Sequence, residues 1–183
     1  MSKGLLRIIV LIIALGVIGF RELGGKKEEG AKPGCFAFEK TVRLPGTPEA
    51  VYDLATGDIS GWWDHTFSEK PARLFIEPRP GGGFYEIFDD SGDGVLHGTV
   101  IYAQRGKLLR FTGPLGLSGN AIDLVCTYKF EPIGADSTQL TLNVHAAGES
   151  EKAWPGVVEQ IWTHFLVERF KPFVEGRLSP NAQ

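Results

Sequence analysis

A chain of 183 residues with 43% apolar side chains can bury the core of one domain of ordinary size. Its formal charge is −3; six of the 19 basic and three of the 22 acidic residues fall in 1–34, which leaves 13 against 19 beyond. That balance offers no basic face to a phosphate backbone and excludes nucleic acid as an expected partner.

At the N-terminus, Lys3 and Arg7 precede an apolar run from Ile8 to Phe20, the layout of a secretory signal or a short signal anchor over 1–21. No A-x-A site follows the run, which favours an uncleaved anchor. The expectation is a membrane-anchored protein whose folded part lies outside the cytoplasm, periplasmic or extracellular, with secretion after cleavage as the alternative. The stretch "RELGGKKEEGAKPG" has no periodicity and reads as a flexible linker over 22–34, so the domain is expected over 35–179. Cys35 and Cys126 would be able to pair in an oxidising compartment, but their positions in the sequence do not establish a bond.

Period-two alternation predicts seven strands, near 36–44, 73–77, 83–89, 95–104, 107–112, 121–130 and 139–145, separated by clusters such as "PRPGGG" and "DDSGDG". The pattern is plainest where Ile122, Leu124, Cys126, Tyr128 and Phe130 share one face. "IGADS" then turns the chain into a strand with Leu140, Leu142 and Val144 inward. Between the first two strands, Thr47 as N-cap and Pro48 at the first helical position predict short helical pieces over 48–64. The segment from Pro155 is amphipathic to at least Lys171. Val158, Ile161, Trp162, Phe165, Leu166 and Phe173 take one face, Gln160, His164 and Lys171 the other, and Pro172 is expected to kink or end the helix.

The predicted fold class is α+β: a seven-stranded antiparallel sheet, two short helices after strand one and a long C-terminal helix. With "WW" at 62–63, "RPGGGF" at 79–84, "HGTVIYAQRGKLLRFT" at 97–112 and a Trp-bearing terminal helix, this order resembles the helix-grip domains of the START-like or Bet v 1-like superfamily (SRPBCC). Within it the chain looks like the branch of the Hsp90 ATPase activator homologues and polyketide cyclases, over about 36–175. The resemblance implies a sheet curved around the long helix and an apolar cavity between them. The expected function is binding of a small hydrophobic or amphipathic molecule, such as a lipid. A cyclase or hydrolase using the same cavity is the first alternative. A chaperone-interaction module is the second, though it conflicts with an exported domain. No cofactor is implied.

In similar proteins the paired Trp62 and Trp63 fall at the pocket mouth, where one is expected to face the core and the other to cap the cavity or meet solvent. Glu86, Arg169 and Lys40 interrupt apolar faces, and charge there is costly unless paired or used. Glu86 is expected either to pair with Arg169 or Lys40, or to anchor a ligand together with Arg169. The remaining pocket lining is expected from Phe75, Phe84, Phe88, Tyr102, Phe111, Tyr128, Trp162 and Phe165. Asp64 and His65 are adjacent in a loop with no nucleophile beside them, so helix capping by His65 and exposure of Asp64 are preferred and no catalytic residue is assigned. By strand and helix parity His65, His97, His145 and His164 do not converge, so no metal site is expected. "PRPGGGF" enters a strand and reads as a turn rather than a phosphate loop, while "GPLGLSGN" reads as a mobile loop able to gate the cavity.

Overall fold

The computed structural model describes residues 32–179. The apolar segment 8–20 and most of the expected linker lie outside these residues, and Pro33 and Gly34 already belong to the first strand. No helix among the described residues is long and apolar enough to cross a membrane.

The elements are β1 (Pro33–Pro45), α1 (Pro48–Ala55), β2 (Gly57–Asp58), β3 (Arg73–Ile76), β4 (Gly83–Ile87), β5 (Gly94–Gln104), β6 (Leu108–Gly113), a 3₁₀ turn (Leu115–Leu117), β7 (Ile122–Pro132) and β8 (Ser137–Glu149). A continuous C-terminal helical run follows: α2 (Trp154–Thr163), a π-helical segment (His164–Phe170) and α3 (Lys171–Leu178). The strands form one antiparallel sheet in the order β1-β8-β7-β6-β5-β4-β3-β2.

Each of the seven expected strands has a counterpart, and the eighth is β2, whose Gly57 and Asp58 pair with Ile76 and Phe75. Two residues are too few to show alternation. The strand also takes the place of the second short helix. Thr47 accepts a hydrogen bond from the Ala50 amide and Pro48 opens α1 as expected, but the helix stops at Ala55. Gly57 then adopts φ +68°, and the amides of Trp62 and Trp63 both bond to the Ile59 carbonyl in a tight turn.

Strand β5 carries two bulges. Its partners pass from Gly98 to Leu96 opposite Phe84 and Tyr85, skipping His97, and from Val100 to Tyr102 opposite Phe111 and Arg110, skipping Ile101. Each extra residue inverts the alternation that follows. His97, expected to face out, is therefore buried, and Leu96 is half exposed. The first bulge also needs a bare neighbour, because a Cβ on Gly113 would lie 2.5 Å from the His97 carbonyl oxygen.

The C-terminal run continues past Pro172. A proline lacks the N–H that pairs four residues back and crowds that carbonyl. The seven residues before α3 instead widen to a π-helix, in which the Lys171 amide bonds to the Leu166 carbonyl five residues back. Val158, Trp162, Phe165, Leu166, Phe170 and Val174 are buried in the same core as Leu44, Phe84, Phe111, Tyr128 and Leu142 of the sheet. Full burial of a large side chain of this kind contributes about 1.5–3 kcal/mol.

Candidate functional site

Between sheet and helix the aromatic side chains form a continuous set. The Trp63 ring stacks on Phe165 at 3.8 Å between centroids and 17° between planes. It also meets Phe84 edge-on at 4.9 Å and Trp162 at 5.8 Å. The series continues through Phe84–Phe111 (6.2 Å), Phe111–Tyr128 (5.9 Å) and Tyr128–Trp162 (6.2 Å). Trp62 packs on Phe170 at 4.7 Å.

Both tryptophans are buried, contrary to the expected division into one inward and one capping ring. The turn at Ile59 sends them to different neighbours, and each indole N–H finds a carbonyl: Trp62 donates to Leu54 and Trp63 to His65. Of the expected lining, Trp62, Trp63, Phe84, Phe111, Tyr128, Trp162 and Phe165 come together here. Phe75 alternates with buried Leu74 and Ile76 and so lies on the other face, against Tyr85 and under the Arg73 guanidinium. Tyr102, 43% exposed, is turned out by the Ile101 bulge. Phe88 follows the end of β4, is only partly buried and is not packed on the core.

Within this interior the Tyr128 hydroxyl is buried and has no hydrogen-bond partner among the described residues. Burial pushes its pKa well up, so the phenol is neutral.

Glu86 does not pair with Arg169 or Lys40. Fully buried, it accepts the Ser68 amide on Oε1 at 2.7 Å and the Phe67 amide on Oε2 at 3.0 Å, with His97 Nε2 also 3.0 Å from Oε2. Burial lowers the His97 pKa despite the opposing effect of Glu86, so the imidazole is neutral and donates through Nε2. Glu86 thereby ties residues 67 and 68 to β4, a contact hidden from parity because it runs to a loop backbone. Lys40 is taken by Glu159 of α2 at 2.6 Å.

Arg169 belongs instead to a cluster at the edge of the aromatic set. Asp64 Oδ2 lies 2.9 Å from His164 Nε2 and 3.1 Å from Arg169 Nε, and Oδ1 lies 3.1 Å from both His65 Nδ1 and His164 Nε2. Glu168 Oε2 is 2.9 Å from His164 Nδ1, and the His65 ring packs on Phe165 at 4.8 Å. Burial opposes ionisation of Asp64, but hydrogen bonds and charge from His65 and His164 outweigh it and hold the pKa at about 2. Burial likewise opposes protonation of His164, and Glu168 and Asp64 overcome it, raising the pKa.

His65 and His164 come together, against the expectation that the histidines do not converge, and His65 caps no helix, while Asp64 is exposed as expected and also paired. His164 and Arg169 are five residues apart, about 140° around an α-helix, but the π-helical segment brings both onto one carboxylate. Asp64, His65 and His164 offer three ligand atoms within 4.8 Å of one another. An ionised carboxylate with two imidazoles suits acid–base work or a divalent first-row metal.

Two surface hollows lie elsewhere. One of about 400 Å³ is lined by residues including Asp58, Ser60, Arg73 and Phe75, and one of about 440 Å³ by residues including Cys35, Ala37, Val125 and His145. Cys35, exposed, and Cys126, buried, are free thiols. In the expected gating loop, Leu115 is buried at φ +51°.

No protein-family model matches the chain, and no curated protein matches it by sequence. Solved structures do. The chain is similar to a conserved protein of unknown function, EF2215 from Enterococcus faecalis, with a TM-score of 0.56 at 14% identity over 81% of this chain and 75% of that one. It is similar to protein MLL2253 from Mesorhizobium loti, at 0.55 and 18% over 78% and 98%. CalU16 from Micromonospora echinospora matches at 0.54 and 20% over 82% and 86%. At these identities the likeness is one of fold, an α+β chain with a long antiparallel sheet and a C-terminal helix.

Proposed function

We propose that the chain is a helix-grip domain of the START-like kind, related to the Hsp90 ATPase activator homologues and polyketide cyclases, and that it binds a small hydrophobic or amphipathic molecule between sheet and C-terminal helix. One observation carries this reading: the Tyr128 hydroxyl, buried among Phe111, Phe130 and Trp162 without a partner among the described residues. A buried hydroxyl left unpaired costs about 1–3 kcal/mol. A mostly apolar site with one such group is the composition of a small-molecule pocket. Glu86 is committed to residues 67, 68 and 97, so Tyr128 takes the anchoring role first expected of it. Because the interior rings touch, ligand access requires the Trp63–Phe165 stack to part.

The test is native mass spectrometry of the full-length chain, purified gently from its host membrane fraction. A retained hydrophobic compound is expected, held about tenfold more weakly by Tyr128→Phe for the loss of one hydrogen bond. An empty chain that gains no thermal stability from a panel of lipids and aromatics overturns the reading.

A cyclase or hydrolase is favoured by one different observation, the convergence of Asp64, His65 and His164 beside that stack. It predicts turnover of activated esters that His164→Gln abolishes. Placement outside the cytoplasm on an N-terminal anchor is also proposed, from Lys3, Arg7 and the run Ile8 to Phe20 alone. Protease added to spheroplasts should degrade the domain, and its full protection would refute that placement.

A further inference from the structure

We propose that Asp64, His65 and His164 form a binding site for a divalent first-row transition-metal ion, with Glu168 orienting His164 and at least one coordination position open. The inference is independent of the ligand-binding reading, and four features carry it.

The first is spacing. Around a tetrahedral ion with bonds of about 2.0–2.2 Å, neighbouring ligand atoms stand about 3.3–3.6 Å apart. Asp64 Oδ1 is 3.1 Å from His65 Nδ1 and 3.1 Å from His164 Nε2, and the three donor atoms all lie within 4.8 Å of one another, so rotation of the imidazoles brings them to that spacing around an ion against Oδ1.

The second is the partner of the other ring nitrogen. His164 Nδ1 lies 2.9 Å from Glu168 Oε2, the carboxylate–histidine contact that fixes tautomer and ring angle in metal sites. A neutral imidazole has one N–H for the two carboxylates that flank it. With that hydrogen directed to Glu168, the Nε2 lone pair faces Asp64, an arrangement that a proton or a metal ion on Nε2 makes favourable.

The third is the place of Arg169. The guanidinium is on Oδ2, the oxygen His65 does not approach, and its Nε also reaches the Trp62 carbonyl at 3.4 Å. It shares Oδ2 with His164 Nε2, which lies 2.9 Å away, and leaves Oδ1, 3.1 Å from both imidazoles, without a cationic partner from the guanidinium. The fourth is the setting. The donors come from segments 100 residues apart, held by the turn at Ile59 and by the π-helical segment, on the aromatic floor of Trp63 and Phe165. The side chains of Asp64, His65 and His164 are 35%, 27% and 23% exposed, so water or a substrate oxygen can complete the coordination sphere. Three protein donors with an open position are the pattern of a reactive rather than a purely structural site.

The experiment uses the full-length, tag-free chain, stripped with a chelator and titrated with Co²⁺ and, separately, Zn²⁺. Visible d–d bands report Co²⁺ coordination, and elemental analysis after equilibrium dialysis reports stoichiometry. One saturable equivalent is expected, abolished by Asp64→Asn and by His164→Gln and unchanged by His145→Gln, which alters an exposed histidine on β8. Glu168→Gln leaves all three donors in place and is expected to weaken affinity about 10–100-fold. Urea midpoints of each variant show that folding is retained. Absence of a saturable equivalent, or one that survives unchanged in both Asp64→Asn and His164→Gln, overturns the proposal.

Discussion

Replacing Glu86 with glutamine tests whether this buried carboxylate is a structural tie. The substitution keeps the shape and one acceptor oxygen but turns the other into an NH₂ group. Three N–H groups converge on the carboxylate, two on Oε2 and one on Oε1. The least costly orientation of the amide puts its nitrogen at the Oε1 position, against the Ser68 N–H. That loses one hydrogen bond to a charged acceptor, about 1.5–3 kcal/mol, and sets two donors face to face in a fully buried place. A total of about 2–4 kcal/mol follows, and at about 2–4 °C per kcal/mol for a chain of this size, Tm should fall by about 4–16 °C. Urea unfolding followed by circular dichroism gives the energy, and amide exchange gives its location: Ser68 should lose protection more than Phe67. A double-mutant cycle with His97→Leu should show coupling of about 1–3 kcal/mol. If Glu86→Gln unfolds within about 0.5 kcal/mol of the parent and Ser68 exchanges unchanged, the tie is wrong, and Glu86 returns as a group free to meet a ligand.

Three further outcomes are expected. Tyr128→Phe should leave the ligand-free chain as stable as the parent, or up to about 1 kcal/mol more stable, because it removes a hydroxyl with no partner among the described residues; a clear loss in urea would show that the hydroxyl is bonded. Trp63→Ala should cost about 3–5 kcal/mol in the same assay, since the indole, 6% exposed, touches Phe84, Trp162 and Phe165 at once. In chelator, the stability difference between the parent and Asp64→Asn should peak between about pH 4 and 6.5. The raised pKa of His164 makes its contribution complete below the ordinary imidazole value and lost as pH rises through the folded one. The lowered pKa of Asp64 makes its contribution complete above the ordinary carboxyl value and lost as pH falls toward about 2. Thermal melts near pH 3, 5.5 and 8.5 would refute the pairing if the difference were flat or greatest at the alkaline end.

Apolar burial was the legible part of this chain. The apolar residues of strands β7 and β8 keep a period of two, so Ile122, Leu124, Cys126, Tyr128 and Phe130 are buried together, as are Leu140, Leu142 and Val144, although Thr127 and Thr141 of the opposite parity are buried too. An apolar face tolerates the loss of one position, which is why the aromatic set remained recognisable although Phe75, Phe88 and Tyr102 fall outside it. Strand β2 was illegible because two residues carry no period, and the turn at Ile59 because a helix and a turn share their first hydrogen bond.

The polar groups were illegible for a different reason, and it bears on function. His97 is itself the extra residue of a bulge, and His164 and Arg169 meet only because the helix before Pro172 has widened. Parity and helical-wheel reasoning assume ideal periods of 2.0 and 3.6. Both fail where the backbone departs from those periods, and bulges and π-helical turns are enriched near functional sites because they re-aim single side chains. Here the two departures serve neighbouring segments of one loop. Glu86 and His97 hold residues 67 and 68, and three residues earlier Asp64 collects His65, His164 and Arg169. If that coincidence is functional, restoring a regular helix should undo it. Replacing Pro172 with alanine, which restores the amide that the proline lacks, would let the run return toward an α-helical repeat while removing none of the polar groups. With the spacing of five residues unchanged, the substitution should separate His164 from Arg169 and abolish the stability coupling between Arg169 and Asp64 in a double-mutant cycle while the chain still folds. Retained coupling in a folded Pro172→Ala variant would mean that the widened turn does not depend on Pro172.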